Sequence, residues 1–276
     1  MDRYIHGRKP DGGGAFKQFF ICTDVEMNKP MALLVCCAKD EEIQKEVKLL
    51  GQLSHPHVIA LEAKYTVGDK LYLVFAQGQT FEEQMKQGPF LLVQMQKTIK
   101  ELLSALTYLH DLNIVHGDIN PKNVVTVQDC VKVIDFGAAR RTGQEIDFST
   151  FNYTPPECWN HNEKVHPAQD IWALGMLVTG QMATTLVYKG MSESRIMRRF
   201  KLACDNQDPE QKTWDPRYEP FPPELKMVEH EELTEFIKLC CSPKMCRPSA
   251  RQLDKNTFLD DSNKFWLHLL DMLHSL

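Results

Sequence analysis

The chain has 276 residues, of which 43% are apolar and 25% charged, and its formal net charge is −5. That length fits one two-lobed domain or two modest ones and is enough to bury a large core. The mildly acidic balance argues against wholesale nucleic-acid or membrane binding, and no apolar run reaches the roughly eighteen residues of a membrane span.

The opening "MDRYIHGRKPDGGG" is polar and does not read as a secretory signal. The runs "AFKQFFICTDV" and "MALLVCCA" read as strands around a turn at Asn28-Lys29-Pro30. In "DEEIQKEVKLLGQL", Ile43, Val47, Leu50 and Leu53 share one face with charges opposite. That spacing predicts an amphipathic helix whose acidic start suits its N-terminal dipole. "HVIALEAKYTVGDKLYLVFA" reads as two further strands about a Gly-Asp turn.

Beyond "QGQT" the pattern becomes helical over residues 80–110, with Thr80 as the cap ahead of Glu82 and Glu83. Two short strands, "NVVTV" and "VKVIDF", follow about Gln128-Asp129. Helical spacing returns from Pro167, interrupted by a polar, proline-rich loop near residues 205–223. A β-rich part, residues 1–78, therefore precedes a larger helical part, residues 79–276. Nine cysteines form no CxxC pair, and several (Cys36, Cys37, Cys240, Cys241) sit in apolar runs, so they read as buried reduced thiols. The ten histidines show no HExxH spacing, and a zinc site is not expected.

The polar loop "NIVHGDINPKN" carries Asp118 and Asn123 just after the long apolar-periodic segment. Such a pair can serve a proton and a metal ion, or be a solvated turn. "VIDFG" then sets Asp135 at the end of a short strand, and "TFNYTPPE", "DIWALG" and "CRPSARQL" follow in order. Together these motifs resemble the eukaryotic protein-kinase family over roughly residues 8–260.

The resemblance implies an α+β, two-lobed fold with a small β-rich N-lobe and a larger helical C-lobe. It implies ATP and Mg²⁺ as cofactors, a protein substrate or a partner kinase, no nucleic acid, and a cytoplasmic or nuclear location. By the same resemblance Asp118 orients or accepts the proton of an attacking hydroxyl, and Asn123 and Asp135 hold metal through hard oxygen atoms. Ala32, Phe75 as gatekeeper, and the hinge Ala76 to Gly78 would form the adenine pocket. His116 would pack beneath the site, and Glu157 and Arg247 would make a buried structural ion pair.

The pattern also departs from the family. The strand-three lysine position reads Leu34, although its usual partner is present as Glu46. The glycine-rich loop reads Gly12, Gly14, then Lys17 where the third glycine belongs and Phe19 where valine sits. This resembles the With-No-Lysine kinases, in which a lysine at the Lys17 position serves instead. A solvent-facing lysine on a strand is the other reading. Gly117 replaces the arginine before the catalytic aspartate, and Asn120 replaces the lysine two residues after it. Lys122 stands where it would reach the γ-phosphate, or is a solvated loop lysine.

Two expectations follow for function. The first is a divergent protein kinase acting on Ser/Thr hydroxyls; the second is a pseudokinase serving as scaffold or allosteric partner of another kinase. The basic run "SRIMRRFK" reads as a solvated face or a dock for an acidic partner. The apolar stripe Phe265, Trp266, Leu269, Leu270 and Leu273 reads as packing onto its own lobe or onto a partner helix.

Overall fold

Unbroken apolar runs set the central strands of the first part, and apolar–polar alternation sets the edge strand at Leu61–Val67. The computed structural model describes residues 4–6, 17–146, 150–159, 162–208 and 210–260, so Gly12, Gly14 and the C-terminal apolar stripe lie outside the described residues. Strands β1 (Tyr4–His6), β2 (Lys17–Asp24), β3 (Lys29–Cys37), β4 (Leu61–Val67) and β5 (Lys70–Ala76) form an antiparallel sheet in the order β1-β2-β3-β5-β4. β1 is a strand that the polar opening did not announce; it pairs Tyr4 with Asp24 and His6 with Cys22.

Each face of β3 serves a separate apolar cluster. Leu34 and Cys36 pack with Ile43, Val47, Leu71 and Leu73, whereas Met31, Leu33 and Val35 pack with Cys22 and Val74. Helix α1 (Glu41–Leu50) closes the first cluster, and Asp40 caps it by accepting from the amides of Glu42 and Ile43. Leu53, expected on the same face, lies past the helix end. Cys37 is exposed rather than buried, because it ends the strand on the pleat opposite Cys36.

The chain passes from β6 (Gln79–Thr80) into α2 (Phe81–Met85). Thr80 caps α2 in a reciprocal box, its hydroxyl accepting from Glu83 N–H while the Glu83 carboxylate accepts from Thr80 N–H at 2.8 Å. The helical region expected over residues 80–110 is in fact two helices, because Gly88 and Pro89 interrupt it before α3 (Leu92–Asp111). β7 (Ile114–Val115) follows, then β8 (Val124–Val127) and β9 (Cys130–Val133), then β10 (Arg140–Arg141), which pairs with β7. Gln128 and Asp129, both at positive φ, turn β8 into β9.

By its contacts the chain divides into two compact units. The first takes residues 1–79 and also 125–137; the second takes residues 80–124 and 138–276. The β8–β9 hairpin therefore folds with the β-rich unit although it lies far along the chain.

The second unit is built around α4 (Ala168–Met182), which is buried on nearly every side. α5 (Glu193–Asp205), α6 (Glu231–Cys240) and the short α7 (Ala250–Leu253) complete its helices. α4 and α6 meet at Gly175, where an added Cβ would lie 2.6 Å from Cys241 Sγ and 2.8 Å from Cys240 Cβ. Gly175→Ala should therefore cost about 1–3 kcal/mol by overpacking. Chemical denaturation measures it, and an unchanged midpoint would contradict this helix spacing. Among the described residues no helix is long and apolar enough to cross a membrane.

Candidate functional site

The loop after α3 is hung from one buried carboxylate. Asp170, in the first turn of α4, is 1% exposed. It accepts from His116 N–H and Gly117 N–H, each at 2.9 Å, and faces His110 Nε2 at 2.9 Å. Burial by itself would raise the Asp170 pKa. The hydrogen bond and charge of His110, the His116 ring and the Gly117 amide outweigh it and hold the carboxyl below its ordinary value. His116 is fully buried, and its Nδ1 accepts from Asp118 N–H at 3.2 Å. It packs beneath the loop as expected.

Asp118 is held at one oxygen only. Its Oδ2 accepts from Asn123 Nδ2 at 2.7 Å, while Oδ1 is enclosed and has no hydrogen-bond partner among the described residues. The Asp118 carbonyl accepts from the side-chain amides of both Asn120 (3.1 Å) and Asn123 (3.0 Å). Gly117 has φ +76°, and a Cβ there would sit 3.1 Å from the Ala138 carbonyl oxygen. A larger side chain would be strained here. Arg140 lines a small cavity, about 30 Å³, together with Gly117, Asp118 and Thr150.

Asn120 acts as a pin. Its Nδ2 also donates to Thr150 Oγ1 at 3.2 Å, and its Oδ1 accepts from Lys122 N–H at 2.9 Å. Thr150 is thus tied to the loop through an asparagine in the lysine position. Lys122 is exposed, with Nζ 3.8 Å from a Glu82 carboxylate oxygen.

The first unit carries the remaining candidates. Asp135 is exposed and adopts φ +58°, a conformation that costs a non-glycine residue about 1–3 kcal/mol. Its Oδ1 accepts from Gly137 N–H at 3.2 Å. Glu46 is 9% exposed, and its Oε1 accepts from Phe136 N–H at 3.2 Å. A Cβ on Gly137 would lie 3.3 Å from Asp135 Oδ1 and 3.8 Å from Glu46 Oε2, so the two carboxylates flank one glycine. Leu34 is 5% exposed within its apolar cluster.

Lys17 begins β2 opposite Cys36; Phe19 pairs with Leu34, Ile21 with Ala32, and Ala32 with Phe75. Phe19 and Ile21 are 43% and 40% exposed, so this face of the sheet presents open apolar surface beside Ala32 and the half-buried Phe75. Ala76 and Gly78 are half-buried. A Cβ on Gly78 would come within 2.8 Å of the Thr126 carbonyl oxygen and of Val127 Cγ2. Only glycine fits there without a shift.

Sequence reasoning missed three features: the His110–Asp170 contact, the Glu46 carboxylate on Phe136 N–H, and Arg140 beside Gly117. A histidine in the last turn of α3 was the one available signal for the first. Each unit carries hard oxygen atoms of the kind a divalent metal takes: in the second unit the Asp118 Oδ1 is an enclosed acceptor without a donor beside the Asn123 side chain, and in the first Asp135 is an exposed carboxylate. The Glu157–Arg247 pair also forms as expected, with Nη1–Oε1 at 2.7 Å and Nη2–Oε2 at 3.3 Å.

The family described as Protein kinase domain matches residues 9–259. The chain is 29% identical over 211 residues to serine/threonine-protein kinase PEPKR2 of Arabidopsis thaliana, covering 72% of this chain and 44% of that protein. It is 26% identical over 268 residues to myosin light chain kinase 3 of Homo sapiens, covering 91% of this chain and 31% of that protein. With calcium-dependent protein kinase 5 of Plasmodium berghei it shares 28% over 172 residues, 58% of this chain and 30% of that one. It therefore spans less than half the length of these relatives. From the ordered motifs, the two units and this match, the chain belongs to the protein kinase domain family.

Proposed function

We propose that the chain is a divergent protein kinase that transfers the γ-phosphate of ATP to a serine or threonine hydroxyl of a protein substrate. In that reaction the hydroxyl oxygen bonds to the γ-phosphorus, the bond from that phosphorus to the β–γ bridging oxygen breaks, and ADP leaves. Asp118 takes the hydroxyl proton. A bound Mg²⁺ supplies charge neutralisation on the phosphate oxygens. Asn123 and Asp135 are its ligands. Lys17, which starts β2 two register positions along from the Phe19–Leu34 pair, grips the phosphates in place of a strand-three lysine. The open apolar surface of Phe19, Ile21 and Ala32, with Phe75, Ala76 and Gly78, receives the adenine. Lys122 is free to leave its exposed contact with Glu82 for a phosphate.

The observation that carries this reading is the Asp118 carboxylate, pinned at Oδ2 by Asn123 and left with an enclosed, donorless Oδ1. A proton acceptor held in one orientation with one oxygen unused suits general-base work. A second reading, a pseudokinase that binds nucleotide or a partner kinase without catalysis, draws on Leu34 filling the lysine position with an apolar contact to α1.

The two are separated by incubating the purified chain with Mg-ATP and a generic protein substrate. Transfer should be seen. Lys17→Met should cut it by about 10²–10³-fold, the scale for removing a charge-stabilising group, while the exposed Lys29→Met leaves it unchanged. Transfer that survives Lys17→Met removes that residue from the site. No transfer, with a melting temperature raised by Mg-ATP, indicates the scaffold.

A further inference from the structure

The outward face of α5 takes no part in the site described above. The helix buries Ile196, Phe200 and Ala203, and the Phe200 ring stands edge-on to both Trp172 and Tyr188, with centroids 6.0 and 5.7 Å away. Those contacts fix the rotation of the helix. At about 100° per residue, the fixed rotation turns Arg198 straight outward, with Arg195 and Lys201 about one turn to either side and Arg199 at the edge. Lys201 is answered by Asp205 at 2.8 Å. Arg195, Arg198 and Arg199 have no ion-pair partner among the described residues, and Arg199 Nε is enclosed without an acceptor. Arg195 and Arg198 thus stand exposed without ion-pair partners on a chain whose net charge is −5, with the half-buried Arg199 at the edge of the face. Beside them, Met197 and Leu202 are 43% and 39% exposed.

We infer that this face of α5 docks a short acidic segment of a protein partner that also carries leucine-type side chains. The inference goes beyond the proposed transfer reaction and stands whether or not the chain catalyses it. The charge row selects carboxylates, for which arginine offers paired donors. The flanking Met197 and Leu202 select protein over nucleic acid, because a phosphate backbone gives exposed apolar groups nothing to bury against, whereas leucine side chains do. The row runs from Arg195 to Leu202, about 10 Å along the axis, which limits the contact to two helical turns or three to four extended residues.

The test uses the full chain and a fluorescein-labelled peptide, Glu-Leu-Glu-Glu-Leu-Glu, read by fluorescence anisotropy. Saturable binding is expected. The double variant R195E/R198E should weaken it by about 10-fold or more, and raised salt should weaken it as well. Lys45→Glu, an exposed charge on α1 outside the proposed surface, should leave affinity within about 2-fold. Both variants lie on exposed surface, and an unchanged unfolding midpoint confirms that the fold persists. Three results would each overturn the inference: no saturable binding, equal binding by R195E/R198E, or undiminished binding of a peptide with serine in place of both leucines. Equal competition by a single-stranded oligonucleotide of the same charge would overturn it too, by showing attraction to any polyanion.

Discussion

Asp118→Asn should lower phosphate transfer by about 10²–10⁴-fold while leaving the fold intact. The asymmetry of the carboxylate makes this a clean substitution. Oδ2 accepts from Asn123 Nδ2, and the amide oxygen of an asparagine accepts there equally well. Oδ1 accepts from nothing among the described residues, so replacing it with an NH₂ group breaks no hydrogen bond and opposes no donor. What the substitution removes is basicity. An amide cannot take the proton of an incoming hydroxyl, so the barrier rises by the worth of the general base. The measurements are the rate of transfer from Mg-ATP and the unfolding midpoint of the same sample. An unchanged rate would remove Asp118 from the proton path. A collapse of the midpoint would show that its charge holds the loop, which the single hydrogen bond at Oδ2 does not suggest.

The legible parts of this chain are those with a local physical cause. Thr80 and Glu83, three residues apart, announce their helix start because capping is a contact within one turn. β3 is visible as an unbroken apolar run because both of its faces are buried. The ordered run of Asp118, Asn123, Asp135, Glu157 and Arg247 was legible through family resemblance, since nothing in spacing alone brings Glu157 to Arg247 across 90 positions.

The rest depends on long-range geometry. Gly175 looks like any glycine in a helix until α6 arrives within contact of it. Gly117 reads as a missing arginine, yet its φ of +76° and the nearby Ala138 carbonyl show a backbone that has settled where arginine fits badly. Asn120 reads as a missing lysine, and the structure makes it the joint between the loop and Thr150. Two departures that looked like simple deletions of charge therefore come with rebuilt local contacts. β1 was missed because three residues paired to the end of a longer strand carry too little pattern of their own.

Arg247→Met should be the most destabilising single change in the second unit, at about 3–5 kcal/mol. The Arg247 side chain is fully enclosed and that of Glu157 is 10% exposed. Besides the carboxylate, the guanidinium donates to the Ala168 carbonyl at 2.8 Å and the Ser242 carbonyl at 2.9 Å, and it lies 5.1 Å from the centre of the Trp172 ring. Methionine fills much of the volume but leaves a buried carboxylate and two carbonyl oxygens without donors, so the cost is desolvation rather than a cavity. At about 2–4 °C per kcal/mol for a unit of this size, the melting midpoint should fall by roughly 6–20 °C. The double variant E157Q/R247M should lose less than the sum of its singles, because the stranded charge is gone. Salt separates this pair from a surface one. Adding sodium chloride should leave the Arg247→Met deficit largely in place, since an enclosed pair is screened little, while the exposed Lys201–Asp205 contact contributes next to nothing at any salt concentration. A deficit under about 1 kcal/mol, or one erased by salt, would mean that water reaches the pair and that Arg247 does not lock the start of α4 to the segment before α7.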